Sequence, residues 1–263
     1  MIFRRTIANL RAQNWTAIGI ELAIVIVGVV IGMQVSNWNE ERIARRETEK
    51  MLAQLAPELE AQLEFLDSVR SYYATTRTYA DQALAAWAGD ERISDNQFVI
   101  AAYQASQITG IGINAENWAL TFGGDQLRNI ADPRTRRNLE IVLTSDFGPV
   151  SLNAAASPYR EQVRRVIPIR LQDDIRRECG DRPIAGRNAF IIFQLPRTCS
   201  LVIPEDEATR TAAALRARPA LADELNWHLA SVAVSLVNVD ILEKPIRDLH
   251  RQLSQTSRGS DAG

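Results

Sequence analysis

The feature that most restricts this chain is a run near its start, TAIGIELAIVIVGVVIGMQV, Thr16 to Val35, in which Glu21 is the only ionisable side chain. Twenty residues wound as a helix extend about 30 Å, the thickness of a bilayer's hydrocarbon core. A soluble helix of that length needs a polar face, and the run lacks one through four turns. Trp15 and Trp38 flank it where amphipathic rings settle at the headgroup layer. A cleaved secretory signal would need a shorter apolar core and a small-x-small site, and Gln34-Val35-Ser36-Asn37-Trp38 is a poor one. The expectation is an uncleaved transmembrane helix over residues 16–38.

Which way it points is less constrained by charge. Arg4, Arg5 and Arg11 precede the span, and Arg42, Arg45, Arg46 and Lys50 follow it, so the positive-inside count is nearly balanced. Long domains cross largely regardless of charge, which allows the large C-terminal part to be exported. In residues 1–15, Phe3, Ile7 and Leu10 form one stripe beside the three arginines, a pattern for a short helix on an anionic cytoplasmic surface. The N-terminus is therefore expected inside and the bulk outside, in the periplasm.

Beyond the span, the formal charge of −2 offers no basic surface for nucleic acid. Leu52, Leu55, Leu59, Leu63, Leu66, Val69, Tyr73, Thr76, Ala80, Leu84 and Trp87 recur at steps of three and four. That spacing predicts an amphipathic helix to about Ala88, with Pro57 as a point of kinking. Ser94 and Gln97 read as a capping box opening a helix to about Ser106. Asn114 is placed to cap ENWALTF, Gly123-Gly124 to break it, and Asp132-Pro133 to turn between the two helices that follow. After a loop around 145–158, one helix is predicted from Tyr159 to Arg177, disturbed by Pro168. Residues 184–203, rich in Ile, Phe and Val and divided by Pro196, read as paired extended segments. Helix returns at EDEATRTAAALRA, and a last long helix runs from Pro219 to about Leu253. The fold class is mainly α: one transmembrane helix continuing into a helical bundle over 39–253 with a small hairpin insertion. Residues 254–263 read as a disordered tail.

Two stretches carry a family likeness. IELAIVIVGVVIGMQVSNWNEER resembles the anchor of a bacterial family of uncharacterised single-pass membrane proteins, whose Glu-containing span ends in Gln-x-x-Asn-Trp-Asn-Glu. The matching positions are Gln34, Asn37, Trp38, Asn39 and Glu40. NWALTFGGDQLRNIADPRTRRNLEIVL is similar to that family's Leu-x-x-Ser-Gly-x-Leu helix pair, with Gly123-Gly124 in place of Ser-Gly. The likeness implies a domain of unknown function in the envelope, hence the bacterial inner membrane, and brings no chemistry with it. IELAIVIVG also looks like the start of a type IV pilin, but a pilin has a cleavable glycine five residues before the glutamate, where this chain has Thr16.

Two cysteines can make one staple. Cys179 and Cys199 bracket the least helical part of the chain, and an oxidising compartment predicts a disulfide between them. Closing such a loop contributes about 3 kcal/mol by the chain-entropy account; two buried thiols are the alternative. In the span, Gly28 and Gly32 form a Gly-x-x-x-Gly pair that shares a helical face with Glu21 and Val25. That face predicts a homo-oligomer through the transmembrane helix, against the alternative that Glu21 snorkels to the headgroups.

No catalytic pattern stands out. His228 and His250 lack ligand-spaced partners for a metal. Gly110-Ile111-Gly112 and Gly123-Gly124 lack the strand-to-helix setting of phosphate loops. Glu205-Asp206-Glu207 suits a helix N-terminus, and Asp173-Asp174 a solvated face. Neither an enzyme, a metal nor a cofactor is expected. Three classes of function remain: an anchored interaction or structural module with an envelope partner, an accessory subunit whose Glu21 carries protons for a multi-span partner, and a periplasmic ligand sensor acting through another chain.

Overall fold

The computed structural model describes residues 15–110, 115–123, 125–144, 157–187 and 191–260. The N-terminal arginine-bearing helix, the Asn114 cap and most of the loop expected over 145–158 lie outside the described residues. The rest is mainly helical. In chain order the elements are α1 (Trp15–Trp87), α2 (Asp95–Gln104), α3 (Ala115–Phe122), α4 (Asp125–Asn129), α5 (Pro133–Thr144), α6 (Pro158–Val166), α7 (Ile169–Cys179), β1 (Arg182–Ala185), β2 (Ile191–Gln194), α8 (Glu205–Arg216) and α9 (Ala220–Ser260).

Helix α1 is one uninterrupted element of 73 residues. It passes through Pro57, whose missing N–H leaves one carbonyl without its ladder partner but does not end the helix. It stops at Gly89, where φ of +89° is open to glycine and strained for other residues. The Asp90 N–H returns to the Ala85 carbonyl (3.0 Å), closing the last turn. Ser94 and Gln97 then form the expected capping box at the start of α2.

The C-terminal half of α1 is the spine of the bundle. Leu59, Leu66, Val69, Ala80 and Ala83 are buried against the fully buried Phe98 to Tyr103 of α2 and against Leu225, Leu249 and Leu253 of α9. Trp87 stacks edge-on against Phe98 (5.0 Å) and donates to the Leu215 carbonyl (3.1 Å). Farther down α1, Arg70 pairs with Asp240 (2.6 Å) and with the buried Glu243. Lower still, Thr48 holds Gln126 of α4, Trp118 of α3 donates to Glu58, and Asn138 of α5 donates to Gln252. These successive ties run α9 antiparallel to α1, as the two long apolar stripes imply.

Three boundaries differ from expectation. The helix predicted over 159–177 is two helices, because Pro168 has no N–H and drives Ile167 into an extended conformation (φ −76°, ψ 124°). Gln172 repairs the break by donating to the Arg164 and Ile167 carbonyls (2.7 and 2.8 Å). The extended pieces begin earlier and are shorter than 184–203: β1 and β2 pair antiparallel with Ile184 opposite Ile192, and β2 ends before Pro196. Finally, α9 continues to Ser260 rather than ending at about Leu253, and residues 261–263 of the expected tail lie outside the described residues. Extending an existing helix adds one hydrogen bond per residue without a new nucleation cost, and nothing before Gly259 opposes it.

Candidate functional site

The span is the first site. The apolar stretch at the start of α1 is long and apolar enough to cross a membrane, and none of it is buried by the rest of the chain. Trp15 and Trp38 are exposed at its two ends, and the Arg42 guanidinium lies over the Trp38 ring at 5.7 Å. Because α1 is unbroken there, Glu21, Val25, Gly28 and Gly32 fall within about 60° of one another around the axis. A Cβ added at Gly28 or Gly32 would meet nothing within 4 Å, so the glycine strip is open. Helix α9 also passes the length and apolarity test, but about a third of its apolar window (35%) is buried in the bundle. Its outward face still carries exposed Trp227, Val234, Val237 and Ile241. With Ala230 these recur at alternating steps of three and four, the spacing of a seam for another helix.

The second feature is the loop closed by Cys179 and Cys199, which are joined as a disulfide with their Cα atoms 5.4 Å apart. Cys179 is the last residue of α7, and Gly180 follows it as the cap. A side chain at Gly180 would run into the Arg176 carbonyl, so glycine lets the chain turn directly into β1. The Cys179 carbonyl accepts from buried Gln104 of α2, tying the staple to the core. A crevice of about 110 Å³ lies between the hairpin and α1, walled by Ser68, Ser71, Tyr72, Ile192 and Phe193.

The third is a polar cluster at the C-terminal end of α2. Arg160 and Arg164, one turn apart on α6, reach across to it. Arg160 donates to the Ser106 carbonyl (2.6 Å); Arg164 donates to Gln107 Oε1 (3.1 Å) and Ser106 Oγ (3.4 Å). The Arg164 guanidinium sits over the Tyr103 ring at 5.0 Å. Burial and the like charges of Arg160 and Arg176 push its pKa down. Arg176 of α7 is paired with Asp173 and leans toward Tyr103 without closing a geometric hydrogen bond to it. Tyr72 and Tyr103 are almost wholly buried, yet among the described residues neither hydroxyl has a partner at hydrogen-bond geometry. Burial, reinforced by Asp181, drives the Tyr72 pKa far up, and burial pushes Tyr73 up to about 12 although its hydroxyl donates to the Thr109 carbonyl (2.8 Å). The Tyr72 and Tyr73 phenols therefore stay protonated at physiological pH.

Close by, His228 of α9 faces Ser157, the cap of α6, with Nδ1 3.0 Å from Oγ. Burial, then Arg160, lowers its pKa to about 4, so the imidazole is neutral and the serine hydroxyl can donate to it. Among the described residues its buried Nε2 has no partner, and no carboxylate bonds to the ring as a nucleophile-activating base requires. His250 is elsewhere on α9, beside Ser254 (3.5 Å). Among the described residues no three His, Cys, Asp or Glu side chains converge as a metal site.

The span, its tryptophans and the cysteine pair announce themselves in the sequence. The arginine–tyrosine cluster does not. Arg160 and Arg164 are visibly one turn apart, but Tyr72 and Tyr103 sit 57 to 92 residues away and read simply as core positions. Comparison with known proteins finds no matching family model, no similar curated protein and no similar solved structure. The likeness to an uncharacterised envelope family therefore rests on the residues quoted for it alone.

Proposed function

We propose that this chain is a single-pass inner-membrane protein that holds a helical bundle in the periplasm as an interaction or structural module. What carries the proposal is the continuity of α1: one helix supplies both an exposed apolar span and the buried spine of the bundle, so the domain is rigidly coupled to the bilayer. The disulfide supports an oxidising location. The outward stripe of Trp227, Val234, Val237 and Ile241 supports an interaction role, since contiguous exposed apolar side chains mark binding surfaces. In the span, the open face of Glu21, Val25, Gly28 and Gly32 suits a second copy of the same helix.

Alkaline extraction of membranes and photo-crosslinking test the two halves. The chain should stay in the membrane fraction at high pH, and release into the supernatant would overturn the anchor. A photo-reactive residue at Val234 should give a covalent protein adduct in cells, while one at Arg92, exposed in the turn before α2 and off this face, should give none. Absence of adducts from positions 227, 234 and 241 alike would remove the interaction surface.

A further inference from the structure

We propose that the cluster at the end of α2 is a binding site for a small oxyanion, a phosphate or carboxylate group held between Arg160, Arg164 and the tyrosine hydroxyls of Tyr72 and Tyr103. Two independent shortages meet there. The first is of negative charge. Arg160 and Arg164 are both half-buried, and among the described residues neither pairs with a carboxylate; their bonds go to neutral oxygens of Ser106 and Gln107. Arg176 adds a third positive charge, and Asp173 already answers it. The second shortage is of acceptors. Among the described residues the buried Tyr72 and Tyr103 hydroxyls have no partner at hydrogen-bond geometry, and the Arg164 guanidinium lies over the Tyr103 ring at 5.0 Å. Leaving such a group unpaired costs about 1–3 kcal/mol.

One ligand chemistry removes both shortages. An oxyanion accepts from neutral hydroxyls and from guanidinium forks together, and guanidinium geometry matches phosphate and carboxylate oxygens. A trapped water would satisfy the hydroxyls but would leave the two arginine charges uncompensated. The partial exposure of both arginines leaves them facing the solvent from which a ligand arrives.

Calorimetric titration of the full-length chain in detergent, with inorganic phosphate or with succinate at matched ionic strength, tests this. Saturable binding of either is expected; phosphate alone assigns a phosphoryl group and succinate alone a carboxylate. Tyr103→Phe deletes a hydroxyl that closes no well-formed hydrogen bond with the described residues, so its melting temperature should be unchanged or higher while affinity falls about tenfold. Arg164→Leu should abolish binding. Failure of both anions to saturate the wild-type chain, or affinity unchanged in Tyr103→Phe, would overturn the site, and the second readout holds even if Arg164→Leu does not fold.

Discussion

His228 shows how a single residue of ordinary appearance acquires a measurable role. In the sequence it is one of two isolated histidines on a helical stripe. In the fold it is 4% exposed, its Nδ1 held by Ser157 and its charged form disfavoured first by burial and then by Arg160. With a folded pKa of about 4 against an ordinary 6.5, the unfolded chain takes up a proton that the folded one refuses. The stabilising effect is complete above pH 6.5 and is lost as pH falls from there toward 4. Between pH 7 and pH 5 that loss is about 2 kcal/mol. Denaturant unfolding at the two pH values should show it in the wild type and show a smaller loss in His228→Asn. An equal loss in both would mean that other groups carry the acid sensitivity. The unpartnered Tyr72 and Tyr103 hydroxyls illustrate the same point. Residue type and spacing mark these positions as core, but only packing reveals that their polar atoms are stranded.

At the scale of elements, periodicity read most helices correctly because helical hydrogen bonds and apolar stripes are local. The capping box at Ser94, the break after Trp87 and the start of the last helix near Pro219 all depend on neighbours within a few residues. The errors occur where two local signals compete. Pro168 outweighs the continuing apolar stripe and divides α6 from α7, while the polar residues after Leu253 lack any strong stop and remain helical. The hairpin strands are only four residues each, so their register depends on packing against α1 rather than on their own pattern. What fastens this region is the staple between Cys179 and Cys199, twenty residues apart. Cys199→Ser, or reduction of the wild type, should lower stability by about 3 kcal/mol in chemical denaturation. Intact-mass analysis of native protein under alkylating conditions should find no free thiol; two alkylated cysteines would refute the pairing in the cell.

At the scale of the whole molecule, the architecture follows from one constraint, the apolar run at the start of α1. Nothing in the bundle covers it, and the helix that contains it cannot be detached from the core without breaking the Leu59–Ala83 packing and the Arg70 ties to α9. The apolar stretch and the bundle thus form one mechanical unit, and α9, antiparallel to α1, returns the chain toward the end of the bundle nearest that stretch. The charge distribution around the span leaves its direction nearly balanced, whereas the disulfide favours export of everything after it. The most direct measurement joins two reporters, in separate fusions, to the C-terminus: one active only outside the inner membrane and one active only in the cytoplasm. The account predicts activity from the first and none from the second. Activity from the cytoplasmic reporter alone would contradict it.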